Sequence, residues 1–220
     1  MLGWIGTRAD GSPAWQDDEP VAVQSGLLHG TRVATGQGWR PVQALCAGDL
    51  VVTFDAGMQP LTGVTRHPVW TGGAPCPSQF WPLELSRGTL GNRGPVRIMP
   101  RQAILIESDL AETLWGDPFA LLPGAALSDL HGVHRVTPGP GAEVVALHFE
   151  TQQIVFAEHG AMFLCLPSRG LLDYAGSDDA AWSYQVLSLD QARLLVSEIN
   201  GDPLAGQPGR TLSERRHAPA

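Results

Sequence analysis

Between residues 31 and 157, polar and apolar side chains alternate in short runs broken by Gly and Pro, the pattern of strands that bury one face. Thr31-Arg32-Val33-Ala34-Thr35 alternates in this way, and Trp39-Arg40-Pro41-Val42 is a second extended piece. Leu50-Val51-Val52-Thr53-Phe54 is rich in β-branched residues, which suit a pleated, half-buried surface. Gly36-Gln37-Gly38 and Ala47-Gly48-Asp49 mark the intervening turns. Further strands are predicted at 58–66, 68–70 and 96–106, where Ile104-Leu105-Ile106 is apolar without a break. Residues 71–82, rich in Gly and Pro, form a loop. Residues 143–149 and 153–157 predict a β-hairpin with Thr151-Gln152 at its tip.

Helical signals are few. Asp109, followed three residues later by Glu112, predicts an N-cap for a short helix ending at Leu114-Trp115-Gly116. Ser188-Leu189-Asp190-Gln191 has the form of a capping box, and Ala192, Leu195, Val196 and Ile199 then recur at helical spacing before Gly201. The organisation expected is a leader at 1–24, a β domain at 25–170, a helical appendage at 171–201 and a mobile tail at 202–220.

Composition narrows the class. A 220-residue chain buries roughly 70% of its unfolded surface and needs no disulfide or metal staple. Its 18 Pro and 26 Gly fit a mainly β fold of short strands and turns. A formal net charge of -8 argues against a nucleic-acid partner and against an anionic membrane. Cys46, Cys76 and Cys165 show neither zinc-ligand spacing nor an even-numbered framework. His131 and His134 would face one another only on a helix, and Gly132 between them argues for a loop, so no metal and no cofactor is expected. Glu158-His159 is an equally weak pair. The first residues lack a basic segment and an apolar core of signal-peptide type, and no apolar run has the ~18 residues that span a bilayer. The expectation is a soluble protein, cytoplasmic by default, without membrane insertion and with a protein partner that the sequence does not name.

One combination of motifs is more specific. Gly30-Thr31 opens G-T-x-V-x-T, Pro41-Val42 opens P-V-x-x-L, and Gly48-Asp49 opens G-D-x-V-x-T. Asp55-Ala56-Gly57-Met58-Gln59-Pro60-Leu61 and the Gly88-Thr89-Leu90-Gly91-Asn92 turn follow in order. Together they resemble the Hint domain shared by inteins and the autoprocessing half of hedgehog proteins, in its bacterial stand-alone branch. The resemblance covers about residues 25–165. It implies a mainly β, Hint-like horseshoe of short curved strands, with the C-terminal helix as an appendage on that body.

It also implies an activity: a thiol or hydroxyl attacks the preceding carbonyl, turning an amide into a thioester or ester, while a histidine assists the departing nitrogen. In the family the nucleophilic cysteine stands four residues before the Gly of the G-T pair, where this chain has Gly26. The histidine closes a T-x-x-H or S-P-x-H block, here Met99-Pro100-Arg101-Gln102. Gly26, Met99 and Gln102 are therefore altered together. Glycine has no nucleophile, and an amide is no general acid near neutral pH. Ser25, His29 and His67 are the substitutes within reach in sequence, although a one-residue shift turns Ser25 toward the other face of a strand. Cys46 is expected to be buried as a small hydrophobe. The reading is a degenerate Hint domain that has lost its autoproteolysis and acts as a structural or interaction module. The alternatives are an active self-processing protein cleaving near residues 25–26, and a ligand cleft opened by Gly26 and Gln102.

Overall fold

The computed structural model describes residues 25–71, 75–167 and 184–201. The expected leader and tail, Gly72, Gly73 and Ala74 of the long loop, and the start of the expected appendage lie outside the described residues.

The chain runs first through β1 (Leu27–Leu28), β2 (Arg32–Thr35), β3 (Gly38–Pro41), β4 (Leu50–Thr53), β5 (Gly57–Pro60) and β6 (Gly63–Pro68). Then come β7 (Leu83–Leu85), β8 (Val96–Ile98), β9 (Ala103–Glu107), helix α1 (Asp109–Trp115) and β10 (Phe119–Pro123). A 3-10 helix (Gly124–Asp129) leads to β11 (Val133–Arg135), β12 (Glu143–His148), β13 (Gln153–Phe156), β14 (Met162–Cys165) and helix α2 (Leu189–Gly201). Among the described residues the sheets are β1-β12-β6, β11-β7-β8, and a larger one ordered β10-β9-β14-β13-β4-β2-β3, with β5 added to β4. The fold is mainly β with a C-terminal helix, as the sequence predicts.

The alternation read from the sequence is the burial pattern. Val33 and Thr35 of β2 and Val51 and Thr53 of β4 point inward, and their neighbours do not. The unbroken apolar run of β9 is covered on both faces: Ile104 and Ile106 join the main core, while Ala103 and Leu105 pack with Leu121, Ile154 and Leu164. Gly88 and Gly91 of the family turn take φ of +88° and +74°, which glycine adopts without a Cβ penalty. Buried Asn92 fastens this turn, donating to the Ser86 and Gly94 carbonyls and accepting from the Leu90 N–H.

Helix α2 begins with the predicted capping box: Ser188 and Gln191 exchange side-chain to backbone bonds at 3.1 and 3.3 Å. Ala192, Leu195 and Val196 enter the same core as the strands. Asn200 ties the helix end to the Asp129 carbonyl and the His131 N–H, both at 2.9 Å.

Three expectations are corrected. β12 and β13 do not pair with each other: β12 lies between β1 and β6, and β13 between β14 and β4. The partner of β13 is its successor, reached through His159 at φ +63° and Gly160 at φ +87°. Two central residues of positive φ are the type I′ arrangement that suits the twist of a hairpin. The N-cap of α1 is Ser108, whose hydroxyl accepts from the Ala111 N–H, with Asp109 already inside the helix. Cys46 is exposed, not buried. It opens an exposed turn in which the Asp49 carboxylate accepts from the Cys46 N–H at 2.9 Å and from its thiol at 3.5 Å, so the side chain meets a carboxylate and not the core.

Candidate functional site

β1 is anchored by pairing Leu27 with Val145 at the centre of β12. Gly26, just before it, is buried against the same strand. A Cβ at this position would lie 3.0 Å from the Val145 carbonyl oxygen, and the backbone φ of +158° is one that L side chains rarely adopt. Val145 is hydrogen-bonded into a three-stranded sheet and has little freedom to retreat. Position 26 is thus shaped for glycine.

Gln102 closes a tight turn in which its N–H donates to the Met99 carbonyl at 3.0 Å. The Gly124 N–H in turn donates to the Gln102 carbonyl at 2.8 Å. Gly124 is needed for that approach, because a Cβ on it would collide with the Met99 carbonyl oxygen. The Gln102 side chain is 2% exposed. Its Nε2 donates to the carbonyls of Ala103 at 2.9 Å and Leu164 at 2.7 Å, and its Oε1 accepts from the Ser25 hydroxyl at 3.2 Å. Turning the amide over would aim its oxygen at two carbonyl oxygens, so these bonds fix the orientation.

The two segments expected to meet therefore do meet, through Ser25 beside Gly26. Gly26 and Gln102 are both buried and do not form an open cleft. Met99 is fully buried against Val69 and Val144, with Leu28, Phe80 and Ala142 around them, so it serves as packing where the family motif has a hydroxyl. An amide oxygen is no base near neutral pH, and the Ser25 hydroxyl that it receives keeps its proton.

The other sequence candidates lie elsewhere. His67 pairs with Val144, which pairs with Leu28, placing it two strands and roughly 10 Å from β1. His29 is exposed in the turn after β1. Among the described residues neither imidazole bonds to Ser25 or Gln102. Cys165 is buried in the core, and burial pushes its thiol up to about 12, far from thiolate formation. His134 lies on β11 and faces Glu84 at 3.5 Å. Among the described residues, no three of His, Cys, Asp and Glu are grouped to hold a metal ion.

A cavity of about 250 Å³ lies beyond the far end of β1. His29, Thr31, Glu158 and His159 stand on its walls with Glu84 and Arg97, over Val96 and Phe163. None of Ser25, Gly26, Met99 and Gln102 lines it. The sequence reading missed this cavity because four separate segments build it. One local signal was present, Gly160 following His159 between two apolar runs.

The family model for the Hint domain matches residues 25–162, more than half of the 220-residue chain. The chain belongs to the Hint family. The match begins at Ser25, beside the position shaped for glycine, and ends at the start of β14. Among solved structures, this Hint chain is similar to a GSH-linked, splice-inactive variant of the AceL NrdHF class 3 split intein. That similarity has 15% identity and a TM-score of 0.39, covering 66% of this chain and 100% of the other. It is similar to the gp41-1 intein at 11% identity and a TM-score of 0.41, covering 65% of this chain and 99% of the other. It is also similar to the bacterial intein-like domain from Clostridium thermocellum, at 11% identity and a TM-score of 0.41, covering 64% of this chain and 98% of the other. No curated protein matches the chain.

Proposed function

We propose that this protein is a degenerate Hint domain that has lost autoproteolysis and acts as a structural or interaction module. The observation that carries the reading is the bonding of Gln102. At the place of the family's acid–base histidine, its two amide donors are committed to the Ala103 and Leu164 carbonyls and its oxygen receives the Ser25 hydroxyl, so no donor is left for the nitrogen of a scissile peptide. Beside it, Gly26 supplies no attacking atom. Losing a nucleophile removes the reaction path, whereas losing an acid–base group slows a reaction by about 10²–10⁴-fold. Both losses coincide here, and buried Met99 adds a third altered motif position.

The rival reading is self-processing with Ser25 as a substitute nucleophile. Its hydroxyl is positioned, but the acceptor it faces is an amide oxygen and not a base. The two readings separate on the intact mass of the full chain, measured fresh and after long incubation with dithiothreitol and with hydroxylamine. A single unchanged mass supports loss of the chemistry. A break at Gln24-Ser25 that disappears in Ser25→Ala supports self-processing.

A further inference from the structure

The cavity beyond β1 pairs an apolar floor with an unevenly satisfied polar rim. Val96 and Phe163 are buried beneath it, and Leu28 and Ala157 complete the apolar part. On one side Arg97 is already committed: its Nε donates to Glu84 at 2.7 Å, and the other oxygen of Glu84 faces His134 at 3.5 Å. The Glu158 carboxylate, also on the wall, makes no hydrogen bond or ion pair among the described residues. Counting Arg97 against Glu84 and Glu158, with neutral imidazoles, the rim has an excess of one negative charge. The chain as a whole carries -8.

The free side of the rim is also held in place. A type I′ turn asks only for residues that tolerate positive φ, and asparagine or glycine would serve. Here it presents His159, whose carbonyl accepts from the Arg93 N–H at 2.8 Å. The ring lies so close over Gly94 that a Cβ there would come within 2.6 Å of Nδ1. His159 is thus stitched to the segment leading into β8, and it holds the turn that carries Glu158. A wall fixed before binding costs less to order on binding. The described residues offer no three-ligand metal cluster, so a divalent ion is not the natural occupant.

We infer that this cavity is a binding site for a small organic cation, a protonated amine on a compact apolar group. The apolar group lies over Val96 and Phe163, and the ammonium is held by Glu158 with the His29 and His159 rings beside it. This site is independent of the self-cleavage question, since it shares no residue with the Ser25–Gln102 contact.

Benzylammonium, benzyl alcohol and benzoate test the inference as a matched series of probes, each titrated into isotopically labelled full-length protein and followed by amide shifts. Benzylammonium is expected to perturb His29, Arg97 and His159 in a saturable way and to bind at least tenfold more tightly than benzoate. In Glu158→Gln its affinity falls about tenfold, the size of one charge-assisted bond at a part-exposed site. The Glu158 carboxylate has no partner among the described residues, so this variant keeps its spectrum. His159→Asn preserves the turn and removes only the ring, and a smaller loss is expected. Equal binding of benzoate, undiminished binding to Glu158→Gln, or shifts confined to other residues would overturn the inference.

Discussion

The turn around Gln102 and the cavity beside Glu158 lie at opposite ends of β1 and are built in opposite ways. At Gln102, 2% exposed, both amide donors are used within the protein and the oxygen accepts from Ser25. At Glu158 a carboxylate stands at a cavity wall with no partner among the described residues. A buried polar group that is fully bonded stabilises and orders its surroundings, and has nothing left to offer a substrate. An unsatisfied group on a fixed wall does the reverse. In the proposed reading, the position of the family's reaction centre serves as part of the frame, and the cavity beyond β1 serves recognition.

The comparison is most strongly tested at Gln102. Gln102→Ala strips the Ala103 and Leu164 carbonyls of a buried donor and leaves a void, with an expected cost of about 3 kcal/mol in chemical denaturation. A cost below about 1 kcal/mol would mean that the amide is not part of the frame. Gly26→Ala adds only a methyl group, yet it meets the Val145 carbonyl. The expected loss is about 2 kcal/mol, where an unstrained exposed site would gain slightly.

Asp49 sharpens the comparison as a charged group that is satisfied but lies near the surface. The Cys46 N–H and then the Arg40 guanidinium hold its carboxyl below the usual 3.8. Because the folded value is depressed, the stabilisation is present above the unfolded value and is lost as pH falls through the folded one. Asp49→Asn is expected to cost about 1 kcal/mol at pH 7. Its difference from the natural protein should shrink below pH 3.8, as read by thermal melts across pH. A gap that persists unchanged in acid would contradict this. The smallest effect is expected at Glu158, where Glu158→Gln should shift stability by less than about 0.5 kcal/mol. A larger loss would mean that the carboxylate has a structural partner.

How far the sequence foretold these two regions depends on how local each feature is. The β2 strand was legible from alternation, β4 from its β-branched residues, and α2 from its capping box, because each is encoded within a few residues, while the Gly88–Asn92 turn was legible through the family motif. The hairpin expected between residues 143–149 and 153–157 was not found, because proximity in sequence did not decide pairing. β12 is claimed by β1 and β6, and the true hairpin signal was the His159-Gly160 turn. The meeting of the Gly26 and Gln102 segments was legible only through the family motifs. The Leu164 carbonyl and the close approach of Gly124 carry no sequence pattern of their own. The cavity had the least signal, since its walls come from the β1 turn, β7, β8 and the β13–β14 turn.

In the proposed reading, the position of the family's reaction centre is built around glycine and glutamine in this chain. This is tested most directly by restoring the family's residues in one chain, Gly26→Cys with Gln102→His, and reading both denaturation midpoint and intact mass after dithiothreitol treatment. The expected result is a clearly less stable protein whose chain stays whole at its full mass. A double variant as stable as the natural protein that breaks at residues 25–26 would contradict it.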